Sequence, residues 1–577
     1  MAEPSLLPPL GEITPNNHGA IVSLFTFIFL SCTGIVVLAK IASMIYLKRS
    51  VPSVDIPIWI CMVIALVQSI LTQVAVNHGM GRHRNEVSSD SFDAYNKVNY
   101  AAEFLLLLVL ALSKVSTGNL IRSISPSKSI LRWCLMVQIG LGVWTLLAVF
   151  GTAFQCPAPY WEYSPTRCVG KQSVRRSETM ASLDEVFKNA TENGSILGAV
   201  LLGRDTSGKF NYSKAFGRRT FGDGEESLMR TDAVLSFASA TKIITCIAVM
   251  QLVEAGKLNL EDDMSPIIPE LAAQEVLVGF DEGTGEPQLR KRKNPLKLRY
   301  LLTHSAGLAY NFLNPSLQRW AAFNNHTPQT SSTVVGRFTY PLTYEPGTGW
   351  DYSPGIDWAG KVVERVTGET LESYFQKHIF APLDISSLTF WPHKHPSIQR
   401  NLATMTTRAS SGGVEAYEGP YLTDGAEDCF GGHGAYGNME DYMKILTSLL
   451  VNDGTLLRKE TADLFFTPQL TVESKAAQKA LIDDPEKIKI FVGDFPSDVK
   501  YDWGLGGILI QSDGSRRRSK GTMIWSGMPN LFWFIDRAKG LCGVIGMQLL
   551  PPADPTTQEL VKLFEEGMYE LLGNKNS

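Results

Sequence analysis

The chain has 577 residues, with 53 Lys and Arg against 57 Asp and Glu and a formal net charge of -4. That balance offers no basic surface to a nucleic acid, and eight cysteines without a CxxC spacing exclude a disulfide scaffold and the common zinc frames. The length is too great for one ordinary core and asks for more than one unit.

The apolar residues are concentrated in the first third. Residues 13–39 and 133–161 carry no charge, and 56–81 none beyond a neutral His78. Each run exceeds the roughly 20 residues that cross a hydrocarbon core of about 30 Å. A further segment, Val98 to Ile121, sets Glu103 and Lys114 on either side of Phe104-Leu105-Leu106-Leu107-Leu108-Val109-Leu110. Eleven residues are close to three helical turns, so the two charges share one face, either snorkelling near the helix ends or turned into a polar site between helices. Four membrane spans are therefore predicted over residues 1–169, forming an α-helical bundle in contact with membrane lipid. Met1 to Asn17 holds no Lys or Arg and no cleavage site followed by soluble sequence, so the first span reads as a membrane segment and not as a signal peptide.

Lys48 and Arg49 after the first span, with Arg122, Lys128 and Arg132 between the third and fourth, favour an outside N-terminus and a C-terminal domain beyond the cytosol. Arg82, Arg84 and Lys97, with Arg167, Lys171, Arg175 and Arg176, pull the other way. Asn189, Asn193, Asn211 and Asn325 head Asn-x-Ser/Thr acceptors compatible with a lumenal domain. Cys156 and Cys168 flank the exit of the last span and could close a short loop on an oxidising side. The segment Gly79-Met80-Gly81-Arg82-His83, the FQCPAPYW around Cys156 and the placing of the spans resemble the fungal rhodopsin-like integral membrane domain, over about Asn17 to Cys168. Only four of that family's seven spans are represented, so the resemblance implies an anchor or a regulatory module more than a sensor. A fusion of neighbouring genes is a third reading.

After a linker at 170–182 the pattern becomes mixed α/β. Ser195 to Gly203 reads as a strand, Phe210 to Phe216 as its hairpin partner, and Thr241 to Ala255 as an apolar helix stopped by Gly256. Trp503 to Gln511, Met523 to Trp525, Leu531 to Asp536 and Leu541 to Gln548 read as successive strands, and Glu559 to Leu572 as a closing amphipathic helix. Strands at both ends of a helical middle predict an antiparallel sheet assembled from the two termini of a domain at 183–577.

The chemistry begins at Ser239-Ala240-Thr241-Lys242, where the apolar helix starts. Three residues of helical spacing put Lys242 beside Ser239, and a helix N-terminus adds positive potential and free N–H groups. A serine hydroxyl is a poor nucleophile at neutral pH and needs a base held against it. The spacing alone also fits a capping serine with a solvated lysine, but its flanks DAVLSFASATK and AVMQLVEAGKLNLEDD, with LRYLLTHSAGL at Leu298 to Leu308, resemble the class C β-lactamase-related serine hydrolases. That resemblance implies Ser239 as nucleophile and Lys242 as a proton-handling partner. Tyr352, in EPGTGWDYSPG, is implied as general base or shuttle, with Pro354 where the family's Tyr-x-Asn has its Asn. Trp525-Ser526-Gly527 occupies the Lys-Thr-Gly position, so Trp525, Ser526, Gly527 and Met528 are implied to line the substrate site, with the Ser239 and Met528 N–H groups binding an oxyanion. A tryptophan in place of that lysine cannot hold a carboxylate, which favours an uncharged acyl ester over a β-lactam or a peptide.

Gly355-Ile356-Asp357-Trp358-Ala359-Gly360, GGHGAYGNMEDY at Gly431 to Tyr442 and NLFWFID resemble in particular the lovastatin-type acyltransferases of fungi, over about Leu183 to Leu572. The implied activity is transfer of an acyl group from a small-molecule donor to an alcohol acceptor in secondary metabolism, with no cofactor and no metal. A membrane-bound carboxylesterase using water, and a membrane protein that only binds ligand, are the alternatives. His433 between glycines reads as an orienting group or as a structural or solvated loop residue, His304 as a helix-end packing residue, and Lys291-Arg292-Lys293 and Arg516-Arg517-Arg518 as solvated loop tips. No P-loop, Rossmann fingerprint or HExxH is present.

Overall fold

The computed structural model describes residues 52–78, 89–124, 128–153, 183–327, 331–512 and 517–575, together with Ser23, Thr26 and Phe27. The chain divides into two compact units, Met1–Ala181 and Ser182–Ser577.

In the first unit helices α1 (Pro52–Asn77), α2 (Ser89–Ile124) and α3 (Lys128–Ala153) fall where the second to fourth spans are predicted. Ile56–Asn77 and Ala94–Thr117 are long and apolar enough to cross a membrane, and Cys134–Phe150 is a shorter apolar stretch. The outward side chains of α1 are apolar, Ile60, Val63, Val67 and Ile70 among them. A polar contact joins α2 to α3, where Gln138 Nε2 donates to Asn119 Oδ1 at 2.9 Å. Glu103 accepts from Asn99, one turn back on its own helix, at 3.0 Å. Of the first predicted span, residues 13–39, all but Ser23, Thr26 and Phe27 lie outside the described residues, as do Cys156 and Cys168.

The second unit opens with α4 (Leu183–Glu192), β1 (Gly198–Asp205), β2 (Asn211–Gly217), β3 (Val234–Ser236) and α5 (Lys242–Glu254). After a helical middle that includes α6 (Gly355–Thr367) come β4 (Tyr436–Asn438), α7 (Met439–Val451), β5 (Tyr501–Trp503), β6 (Ile508–Ile510), β7 (Met523–Gly527), β8 (Leu531–Asp536), β9 (Leu541–Gly546) and α8 (Pro555–Lys575). The main sheet has seven strands in the order β2-β1-β9-β8-β7-β6-β5, all antiparallel. The pairing Val200↔Gly546 through Asp205↔Leu541 joins the two ends of the domain as the sequence predicts. Every residue of β7, β8 and β9 is buried, because helices cover both faces. Gly543 faces Phe564 of α8, whereas Gly546, three residues on, faces Met439 of α7. Helix α5 is buried on all sides from Lys242 to Met250, as its unbroken apolar run requires.

Two expectations are corrected. Trp503 to Gln511 is not one strand but β5 and β6, joined by the turn Gly504-Leu505-Gly506-Gly507 in which the Gly504 N–H donates to the Gly507 carbonyl at 2.9 Å. Three glycines in four residues favour reversal over extension. In the described part of the 516–518 run, Arg518 is buried and Arg517 half-buried, both paired and not solvated. Arg518 makes a two-point pair with Glu565 of α8 at 2.6 and 2.8 Å, and Arg517 reaches Glu565 and Glu566. Burial would raise the Glu565 carboxyl, but Arg518 and Arg517 outweigh it and hold that group below the ordinary range. In the other run Lys291 and Lys293 are exposed, while Arg292 is half-buried and donates to Ser265 Oγ at 2.9 Å and to the Asn294 carbonyl.

Candidate active site

Strand β3 carries the chain into the turn Ala238–Thr241, from which α5 departs. Ala238 holds a φ of 44°, a left-handed conformation costly for a residue with a Cβ, so the turn that presents Ser239 is a strained one. The loop before β4 is clamped onto this turn. The Phe237 N–H donates to the Ala435 carbonyl at 3.0 Å, the Ala435 N–H to Thr241 Oγ1 at 3.1 Å, and Thr245 Oγ1 to the Gly431 carbonyl at 2.7 Å.

Lys242 is fully buried, and its ammonium donates to Ser239 Oγ at 3.1 Å, to the Gly432 carbonyl at 2.7 Å and to Tyr310 Oη at 3.4 Å. Tyr352 arrives from the loop before α6, 8% exposed, and its hydroxyl donates to Ser239 Oγ at 2.6 Å. The structure therefore brings Ser239, Lys242 and Tyr352 into one hydrogen-bonded cluster. Pro354, where the related pattern has an amide, leads directly into α6.

That loop is held by His304, itself buried with a φ of 59°. Its carbonyl accepts from the Asp351 N–H at 3.2 Å, and its Nδ1 accepts from the Ser353 N–H at 3.3 Å. The ring lies 4.8 Å from that of Tyr352 and 4.7 Å from that of Trp503. Burial first, and then the neighbouring Lys242 charge, push protonation of His304 well below the usual imidazole range, so it stays neutral. His304 is thus a packing residue, as the sequence suggests, but one that locates Tyr352.

Asp351, the neighbour of Tyr352, has its carboxyl pushed up to about 6, chiefly by burial, with Asn314 Nδ2 donating to it at 3.0 Å. A carboxyl raised above its usual 3.8 binds its proton more tightly in the folded state, so stability falls as pH rises from about 4 to 6 and stays lower above. Asp351→Asn is expected to remove this slope and to stabilise the protein at neutral pH by ~1–2 kcal/mol, a value set below the full shift because the group keeps some contact with solvent. Urea unfolding across pH 4 to 8 checks it, and an unchanged slope counts against it.

Behind Lys242 lies a second polar set. Tyr310 donates to Asp357 Oδ2 at 3.3 Å, the Gly432 N–H donates to Asp357 Oδ1 at 2.8 Å, and His433 Nδ1 lies 3.3 Å from the same oxygen. Burial raises Tyr310 well above the ordinary phenol range and Asp357 adds to this, so Tyr310 keeps its hydrogen. Burial would raise Asp357 too, but His433, Lys242 and the Gly432 N–H outweigh it and hold the carboxylate below its usual value. A Cβ on Gly432 would lie 2.2 Å from Asp357 Oδ2, which explains a glycine there.

Ser239, Tyr352, Trp525, Ser526, Gly527 and Met528 line one cavity of about 350 Å³, completed by Phe312, Phe338, Phe491 and other mainly apolar side chains. No Asp, Glu, Lys or Arg is among its lining residues. Trp525 is 2% exposed and stands against Tyr352 at 5.2 Å and Phe491 at 5.5 Å, with its indole N–H unpartnered among the described residues. Gly527 runs so close to the nucleophile turn that a Cβ would lie 2.2 Å from the Phe237 carbonyl oxygen.

Sequence reasoning assigned no role to Tyr310 or Asp357 and read His433 as a loop residue. Tyr310 stands just past LTHSAGL and Asp357 inside GIDWAG, so the quoted motifs contained or bordered them, but nothing in their spacing shows that they meet.

The chain is similar to known proteins along most of its length. Residues 183–565 match the family described as beta-lactamase, and residues 39–183 match the fungal rhodopsin domain. A lovastatin esterase of Penicillium rubens is 40% identical over 394 residues, covering 67% of this chain and 98% of the relative. A monacolin J acid methylbutanoyltransferase of Aspergillus terreus is 36% identical over 399 residues, covering 68% and 96%. The solved structure of unliganded simvastatin synthase from Aspergillus terreus, as its selenomethionyl derivative, superposes with a TM-score of 0.64 at 36% identity, covering 68% of this chain and 98% of that one.

Proposed function

We propose, for a chain that belongs to the beta-lactamase family through residues 183–565, that it is a serine-dependent acyltransferase passing an acyl group through Ser239 to a small-molecule alcohol. The observation that carries this reading is the cluster in which Ser239 Oγ receives hydrogen bonds from Lys242 and Tyr352 at the wall of an apolar cavity.

Two tyrosines face Lys242, and their partners distinguish them. Tyr310 gives its hydrogen to Asp357, while Tyr352 faces the nucleophile. Three acceptors around Lys242 Nζ match the three hydrogens of an ammonium. In this reading Tyr352 is a shuttle: the Ser239 hydrogen passes to the Tyr352 oxygen as the Tyr352 hydrogen moves on toward the donor's leaving oxygen, and the Lys242 ammonium steadies the charge between them. Ser239 Oγ then bonds to the donor carbonyl carbon, and the backbone N–H groups of Ser239 and Met528 receive the oxyanion. The donor's alkoxide leaves with the proton from Tyr352. An acceptor alcohol gives its proton to Tyr352, attacks the acyl carbon and departs as the new ester, and Ser239 recovers its hydrogen.

The cavity's uncharged walls and Trp525 favour an uncharged, apolar acyl ester, and the relatives' names place such chemistry in fungal secondary metabolism. Hydrolysis is the second reading, favoured by similarity to an esterase. The two differ only in whether water or an alcohol reaches the acyl-enzyme. We place residues 1–169 in a membrane as a multi-pass region, 170–182 as a linker and 183–577 as the catalytic domain. The exposed positions of Asn189, Asn193, Asn211 and Asn325 support an extracytoplasmic domain.

The test uses the full-length chain in detergent, exposed to a fluorophosphonate or a p-nitrophenyl acyl ester and weighed intact beside Ser239→Ala. A mass increase confined to the unmutated protein is expected, and alcohols added afterwards separate transfer from hydrolysis. A folded protein that forms no adduct sinks the assignment and leaves a ligand-binding role.

A further inference from the structure

His433 lines the same cavity as Ser239, yet is only 4% exposed. It follows Gly432, whose carbonyl Lys242 grips at 2.7 Å, so its backbone is tied to the reacting centre. Its ring is held on three sides. Asp357 Oδ1 faces Nδ1 at 3.3 Å, Phe430 stands against the ring at 5.0 Å and Phe338 presents an edge at 6.2 Å. Asp357 cannot swing to another partner, since it also accepts from Gly432 and Tyr310. A carboxylate at Nδ1 keeps a hydrogen there, which leaves Nε2 as the ring atom to accept one from a ligand. Among the described residues Nε2 has no partner. A buried ring nitrogen so firmly oriented calls for a hydrogen-bond donor, and the cavity is where that donor enters.

We propose that His433 is a binding residue for the acceptor alcohol, its Nε2 accepting from a hydroxyl other than the one that is acylated. The preferred acceptors are then diols or polyols on an apolar frame. This rests on the Ser239 acyl-enzyme reading above. An aliphatic acyl group has no hydrogen to give, whereas the alcohol must carry a hydroxyl. The reacting hydroxyl is already served by Tyr352 and Lys242, so the one at His433 is a second.

The experiment acylates the full-length chain in detergent with p-nitrophenyl butyrate and offers cyclohexanol beside the isomeric cyclohexanediols. Release of p-nitrophenol reports acylation, and the yield of each ester reports transfer. The unmutated protein is expected to favour at least one diol by about tenfold or more in kcat/KM, because a site built to bond a hydroxyl discriminates against the analogue lacking it. His433→Phe should bring the ratio of diol to cyclohexanol esters down to about one whatever its acylation rate, and His433→Gln, whose amide oxygen is an acceptor, should keep much of the preference. Equal use of diols and cyclohexanol by the unmutated protein, or a preference that survives in His433→Phe, overturns the proposal. So does a parallel fall of acylation and transfer in both variants, which marks a merely structural role. An unmutated chain that forms no acyl-enzyme overturns the Ser239 reading, and this one with it.

Discussion

Replacing Lys242 with Met is expected to slow acylation of Ser239 by on the order of 10⁴-fold, because members of a nucleophilic cluster act as a unit. Met matches the unbranched lysine stem and leaves its buried apolar contacts in place, so the change removes the charge and its three hydrogen bonds more than it removes packing. It leaves the Gly432 carbonyl and Asp357 without a neighbouring cation, at a stability cost of ~1–3 kcal/mol. The burst of p-nitrophenol from an acyl ester, followed in parallel with thermal unfolding, separates the two effects. A variant that remains folded and acylates within about tenfold of the original rate removes Lys242 from the proton path.

Gly527→Ala carries the second large effect, about 10³-fold or more in acylation. Its Cβ would stand 2.2 Å from the Phe237 carbonyl oxygen, which is backbone and cannot rotate aside. Either β7 retreats or the strained turn at Ala238 moves, and Ser239 shifts with it. Loss of one oxyanion donor costs roughly 10²–10³-fold, and displacement of the nucleophile by about 1 Å costs a similar factor. Overpacking should destabilise the fold by only ~1–3 kcal/mol. Acylation must therefore fall much further than the melting transition implies, and a loss of activity explained by unfolding alone counts against a role for this strand in the site.

The parts of the site that the sequence discloses are the local ones. Ser239 and Lys242 are three residues apart across the turn that opens α5, and helical spacing alone predicts them side by side. Tyr352 is 113 residues from Ser239, and only the resemblance carried by EPGTGWDYSPG brings it to the serine. Asp357 and His433 meet across a separation that no periodicity records, and a lone histidine between glycines gives no sign of a carboxylate waiting at its ring. Arg518 shows the same limit from the other side. A run of three arginines reads as solvated until the closing helix brings Glu565 to it. The sheet was more legible, since strand patterns at both ends of a domain leave few ways to bury them. Trp503 to Gln511 misled because apolar residues stand on both sides of the glycine turn that divides it.

The pairing of β1 with β9 also sets the order of events in biosynthesis. Val200 pairs with Gly546, so the central strands of the sheet close only when the last part of the chain is available, a topology of high contact order that folds slowly. Ser239, Lys242 and Tyr352 are all synthesised well before Gly527 and the strand that carries it. A nascent chain thus holds the proposed nucleophile and relay without the wall proposed to receive an oxyanion. Acyl transfer can begin only after the chain is complete, and chaperone engagement during that interval, not catalytic chemistry, is where truncated products should be lost.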